Sequence, residues 1–107
     1  MVLRPYIDRE GRNPFEHWFR SLEAASRARV SVYLDRLERG NLSNIKSVGG
    51  GVMELRMDFG PGFRAYLGRD GETLVILLGG GSKKSQQSDI AVAQHLWSEY
   101  KATKKEL

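Results

Sequence analysis

Gly49–Ile90 reads GGGVMELRMDFGPGFRAYLGRDGETLVILLGGGSKKSQQSDI, and its turns and alternations decide the fold. From Val52 to Asp58 the residues alternate. Met53, Leu55 and Met57 point one way and Glu54, Arg56 and Asp58 the other, the period of a half-buried strand. Phe59-Gly60-Pro61-Gly62 is a hairpin turn. Phe63 to Leu67 alternates again, with Phe63, Ala65 and Leu67 on one face and Arg64 and Tyr66 on the other. Gly68-Arg69-Asp70-Gly71 is a second turn, signalled by Asp-Gly. Thr73 to Leu78 is apolar on both faces and is predicted to be a central strand covered on both sides. Gly79-Gly80-Gly81 ends it. Ser85 is placed to cap a final helix, whose core stripe is Ile90, Ala93, Trp97 and Tyr100, with Leu96 beside it. The charged tail, Lys101 to Leu107, is expected to fray.

Working outward, residues 2 to 8 (VLRPYID) predict an edge strand, because Pro5 cannot donate to a ladder. Asn13-Pro14-Phe15-Glu16 is a helix start: Asn13 caps, Pro14 suits the first helical position and Glu16 closes a capping box. Phe15, Trp18, Phe19 and Leu22 share one helical face, and Val30, Tyr33, Leu34 and Leu37 repeat the spacing. The two stripes are offset from strict heptad register, which predicts a break near Glu23 to Ser26 and a helical hairpin. Arg39 and Gly40 form the C-terminal cap. Residues 41 to 51 (NLSNIKSVGGG) read as a polar, glycine-rich connection. No Gly-Lys-Ser/Thr or GxGxxG pattern accompanies its glycines, so they are not a nucleotide loop. The predicted fold is α+β in the order β-α-α-β-β-β-α. A twisted, mainly antiparallel sheet packs against a helical hairpin and a C-terminal helix, in a single domain over residues 1–107.

The 107 residues suit one modest core, and 28% are charged. No apolar run approaches the ~20 residues of a membrane span, and the charged N-terminus lacks the apolar stretch of a signal peptide. A cytoplasmic protein is expected, with no membrane partner. The absence of cysteine excludes disulfides and thiolate-bound metals. His17 and His95 lie on different helices without ligand spacing, so neither a metal nor another cofactor is expected. A net charge of +4 and a pI near 9.6 favour an anionic partner, most simply nucleic acid.

One region collects the charge that such a partner needs. The polar faces of two adjoining strands carry Glu54, Arg56, Asp58, Arg64 and Tyr66. Lys83 and Lys84 follow the central strand. Gln86 and Gln87 begin the last helix, whose N-terminus adds positive partial charge. Arginine binds phosphate bidentately, lysine neutralises it as a point charge, and tyrosine stacks on bases. The bland account is available for each: Arg56 as the ion-pair partner of Glu54 or Asp58, Lys83 and Lys84 as solvated loop charges, Gln86 as a helix-end residue.

GGGVMELRMDFGPGFRAY followed by LLGGGSKKSQQSDIAVAQHLW closely resembles the RelE/ParE superfamily of toxin–antitoxin toxins. Its nearest likeness is to the HigB-like addiction module killer branch, related to phage Gp49-like proteins. The positions that carry the resemblance are Glu54, Leu55, Arg56, Asp58 to Gly62, Arg64, Gly80, Gly81, Lys83, Gln86, Asp89, Ile90, Ala93 and Trp97. The paired helices and their Asn-Pro-Phe start also fit, so the likeness runs over the whole chain. Ser82 departs from it where relatives often carry Asp, and the doubled Lys83–Lys84 offers two candidates for one lysine.

The resemblance implies a RelE-like fold and a ribosome-dependent endoribonuclease, an mRNA interferase that cuts translated mRNA without a metal. A cognate antitoxin, of the helix-turn-helix, HigA-like kind, would hold it inactive in a hetero-oligomer. Carried over residue by residue, Arg64 would stabilise charge on the scissile phosphate. Lys83 would be a second cation or, with its pKa lowered by crowding among Arg56, Arg64 and Lys84, a base. Attack by the ribose 2′-OH would leave a 2′,3′-cyclic phosphate. Arg56 belongs to the same catalytic set. Lys84, Gln86 and Tyr66 would position RNA or support the site. The alternatives are a ParE-like DNA gyrase inhibitor and a non-catalytic nucleic-acid-binding module.

Overall fold

The computed structural model describes residues 1–106. Strand β1 (Val2–Pro5) leads to helices α1 (Pro14–Ser21) and α2 (Ala24–Glu38). Strands β2 (Ile45–Gly49), β3 (Val52–Arg56), β4 (Arg64–Asp70) and β5 (Leu74–Gly81) follow. A 3-10 turn (Lys83–Ser85) then opens into α3 (Gln86–Glu106). The strands form one sheet in the order β1-β5-β4-β3-β2. β1 runs parallel to β5 and every other pairing is antiparallel. The class is the α+β arrangement expected, and β5 does have a neighbour on each side.

The element order gains one strand. Ile45–Gly49, read as part of a connection, pairs antiparallel with β3, and Lys46 sits opposite Glu54. Gly49, Gly50 and Gly51 all have positive φ and make the tight turn between β2 and β3. The strand is short and lies on an edge, and its two half-buried apolar residues, Ile45 and Val48, are three apart, so it lacks the apolar alternation that announces a half-buried strand.

The helical hairpin forms as its caps dictate. Asn13 Oδ1 accepts from the Glu16 backbone N–H at 3.1 Å, with Pro14 at the first position. Such a cap contributes about 1 kcal/mol. Leu22 and Glu23 are extended and separate α1 from α2, at the start of the expected break. Gly40, with φ +88, lies just past the end of α2, beyond Arg39. The charged segment from Lys101 does not fray at its start: α3 runs on to Glu106, and Lys104 Nζ reaches Asp70 Oδ1 and Oδ2 at 2.6 and 2.7 Å. Leu107 lies outside the described residues.

Both faces of the sheet are covered. On one, Leu55, Met57, Ala65, Leu67, Val75 and Leu77 pack against Phe15, Val30 and Leu37 of the helical hairpin. On the other, Val52, Tyr66, Ile76 and Leu78 pack against Ala93, Leu96 and Trp97 of α3. Each face has one tryptophan laid directly on a strand glycine. A Cβ on Gly80 would come within 2.3 Å of the Trp18 ring, and one on Gly68 within 2.3 Å of the Trp97 ring. Glycine inside a strand is explained here by close approach of a ring to backbone. No helix among the described residues is long and apolar enough to cross a membrane.

Candidate functional site

The site is built on two transverse rows of the sheet. Arg56, Arg64 and Gly81 are directly paired across β3, β4 and β5, and Glu54, Tyr66 and Gly79 make the adjoining row. Directly paired residues project to the same face, and here it is the face that α3 covers. Arg64 and Glu54 are therefore diagonal neighbours beneath the first turn of α3.

That placement divides the six candidates. Arg56 is exposed, and its Nε pairs with Asp58 Oδ1 at 3.3 Å. Lys83 and Lys84 are exposed on the 3-10 turn. Arg64 is only 5% exposed, and Glu54 and Tyr66 are fully buried. Arg64 Nε lies 3.6 Å from Glu54 Oε1, an ion pair without a hydrogen bond. Arg64 Nη1 donates to the Gly62 carbonyl at 2.6 Å. Gln86, expected to position RNA, instead donates from Nε2 to Glu54 Oε2 at 2.9 Å.

Tyr66 has no face open for stacking in this structure. Its hydroxyl is buried without a hydrogen-bond partner. Burial first, and the neighbouring Glu54 carboxylate next, push its pKa well above the ordinary phenol value. It is part of the packed floor of the site.

The Gly60–Gly62 turn joins the exposed and buried cations. The Lys83 backbone N–H donates to the Pro61 carbonyl at 3.4 Å. A Cβ added to Gly62, whose φ is +73, would lie 3.0 Å from Arg64 Nη1 and 3.4 Å from Lys83 Cβ. Arg64 and Lys83 thus flank the same glycine. The turn is braced from α2: Tyr33 stacks on Phe59 at 6.1 Å, Arg29 lies over the Phe59 ring at 4.2 Å, and the Asp58 N–H donates to Tyr33 Oη at 3.2 Å. A hairpin tip held at three points presents its neighbours in fixed positions.

Ser85 was expected to cap α3. Its hydroxyl donates to Asp89 Oδ2 at 2.5 Å. That carboxylate lies against Gly81, where a Cβ would come within 1.9 Å of it. The sequence offers Glu54 as a surface ion-pair partner of Arg56. Its diagonal relation to Arg64 follows from the strand register, but its burial follows from α3, which no strand pattern reveals. The basic end is an open surface. The 550 Å³ cleft lined by Asp8, Arg12, Asn13, Pro14, His17, Val92 and Leu96 includes none of its cations.

The result is a small α+β fold that sets a braced hairpin and a basic row beside the N-terminal end of α3. The chain belongs to the family described as phage-derived protein Gp49-like (DUF891), whose profile matches residues 17–98, from α1 to just past Trp97. This is a family associated with addiction-module toxins. A relative from Haemophilus influenzae, described as an uncharacterized protein, is 42% identical over 86 residues, covering 79% of this chain and 87% of the relative.

Proposed function

We propose that the chain is the toxin of a toxin–antitoxin pair in the RelE/ParE superfamily, of the HigB-like kind. On this proposal it is a metal-independent endoribonuclease acting on translated mRNA at the ribosome. The observation that carries it is the row Arg56–Arg64–Gly81 with Lys83 beside it across Gly62. These residues also carry the likeness to ribonuclease toxins.

The exposed Arg56, Lys83 and Lys84 meet the phosphates first. Arg64 lies beneath them, where low exposure strengthens its field on charge developing at the scissile phosphorus. The 2′-oxygen attacks the adjacent phosphorus as its proton passes to a base. The P–O5′ bond breaks, the 5′-oxygen takes up a proton, and a 2′,3′-cyclic phosphate remains. Lys83 is assigned either as that base or as the second cation on the phosphate. A cognate antitoxin holds the toxin inactive, and acidic antitoxin residues would complement the basic end.

The test is expression without antitoxin, with mapping of mRNA 5′ ends. In-frame cuts confined to translated messages are expected, and Arg64→Ala and Lys83→Ala should each reduce cutting by about 10²-fold or more. Undiminished growth arrest in both variants overturns the assignment. One observation favours a second reading, ParE-like inhibition of gyrase by binding alone: Arg64 is buried and already ion-paired. Blocked supercoiling with intact mRNA would establish that alternative.

A further inference from the structure

Glu54 is the one fully buried carboxylate among the described residues, and it lies next to the apolar cluster of Val52, Ile76 and Leu78 beneath α3. Val52 and Leu78, on the same face, pack against α3 without help from charge. A carboxylate persists out of water only where partners replace its hydration. Glu54 has a separate partner at each oxygen: Gln86 Nε2 at Oε2, 2.9 Å away, and Arg64 Nε at Oε1, 3.6 Å away. Arg64 is held a second time through Nη1, which donates to the Gly62 carbonyl at 2.6 Å. Contacts at Nε and Nη1 orient a planar guanidinium as well as locate it. Neither contact uses Nη2.

The exposed pair of Arg56 and Asp58 makes the contrast. Their side chains are 60% and 69% exposed, so solvent screens the attraction and the arginine remains free to reorient. The side chains of Arg64 and Glu54 are 6% and 0% exposed, and neither has that freedom.

We propose that Glu54 is a positioning residue that sets the Arg64 guanidinium for phosphate, with Gln86 as the brace that aims Glu54. The proposal rests on the phosphate-cleaving reading of the site. On it, Glu54 and Gln86 act on RNA only through Arg64, and the first turn of α3 is coupled to the hairpin turn at Gly62 through three side chains.

The experiment uses the full chain and the variants Glu54→Gln, Gln86→Met, Arg64→Ala and Glu54→Gln/Arg64→Ala. The first readout needs no activity: the Arg64 Nε–Hε signal in nitrogen-15 NMR, assigned by its loss in Arg64→Lys. A resolved, slowly exchanging signal is expected in the native chain. Its exchange with water should quicken about tenfold or more in Glu54→Gln, and by less in Gln86→Met. The second readout is single-turnover cleavage of ribosome-bound mRNA. Glu54→Gln should lower the saturated rate by about tenfold to a hundredfold. The half-saturating concentration should hold, because Arg56, Lys83 and Lys84 remain. The double variant should be no slower than Arg64→Ala, since a residue acting through another adds nothing once that other is gone.

Losses that multiply in the double variant overturn the proposal, as does an unchanged Nε–Hε signal in Glu54→Gln. If Glu54→Gln does not fold, Gln86→Met, which leaves the buried ion pair intact, decides by the same readouts. A native chain that cleaves nothing defeats the ribonuclease reading, while the NMR arm still decides whether Glu54 fixes Arg64.

Discussion

Gly79 and Gly80 are neighbours on β5, yet only one of them touches a ring. A Cβ at Gly79 would meet nothing within 4 Å, whereas one at Gly80 would run into Trp18 at 2.3 Å. Neither glycine has positive φ, so the backbone does not distinguish them. Gly80→Ala should therefore cost about 1–3 kcal/mol through overpacking, and Gly79→Ala should stay within about 0.5 kcal/mol of the native chain. For a chain of this size the first corresponds to a fall in Tm of roughly 4–14 °C. Calorimetry of the two variants checks this, and equal melting temperatures would show that Trp18 does not rest on Gly80 in solution. The same scale shows what the sequence carried. Alternation placed Glu54, Arg56, Arg64 and Tyr66 on one face correctly, because side-chain direction follows from strand period alone. It said nothing about cover, so Glu54 and Tyr66 read as available surface when α3 in fact buries them. The Arg64–Glu54 pair was missed for that reason, and so was the Gln86 contact.

Between elements, the C-terminal half of α3 is tied to the end of β4 by Asp70, which accepts from Tyr100 Oη at 2.5 Å and from Lys104 Nζ at 2.6 Å. Lys104 first, and Tyr100 second, hold the Asp70 carboxyl below its ordinary pKa. A depressed folded pKa stabilises above the unfolded value of about 3.9, and that contribution is lost as pH falls through the folded value. Asp70→Asn should thus lower the urea midpoint at pH 7, with the gap to the native chain closing as the pH drops below about 4. On the alkaline side the Tyr100 phenol is pushed up to about 12, by burial first and by Asp70 next. Between about pH 10 and 12 the unfolded chain releases a proton that the folded chain keeps, so stability falls as pH rises. Tyr100→Phe should flatten that fall. A gap that does not change with pH in either variant would show that the tie makes no contribution. This tie could not be read beforehand, because Asp70 looked like a turn residue and Lys101–Leu107 like a fraying tail. β2 escaped notice for a related reason: an exposed edge strand is stabilised by its neighbour's ladder, and its own residues need show no pattern.

Over the whole molecule, 17 lysines and arginines against 13 acidic residues leave a charge of +4. Attraction to RNA from that total and attraction from the local row around Gly62 make different predictions. Lys84 precedes α3 and Lys105 lies in its last turn, both exposed. At 1.5 Å of rise per residue the helix separates them by roughly 30 Å. The screening length at 0.15 M salt is about 8 Å, so the two charges act on a bound strand independently. Lys84→Gln and Lys105→Gln each remove one positive charge and leave chains of identical net charge. Each phosphate neutralised on a single strand contributes about −0.7 to the slope of log affinity against log salt. If Lys84 neutralises one phosphate, Lys84→Gln should make that slope shallower by about 0.7, while Lys105→Gln leaves it unchanged. The probe is a single-stranded RNA whose 2′-hydroxyls are methylated, so that it binds and cannot be cut, titrated by fluorescence anisotropy between 50 and 300 mM salt, about the range over which such slopes are resolved. Equal slopes in the two variants, both shallower than the native one, would mean that total charge draws the RNA in. The row Arg56–Arg64–Gly81 would then be a feature of packing, with no hold on the strand.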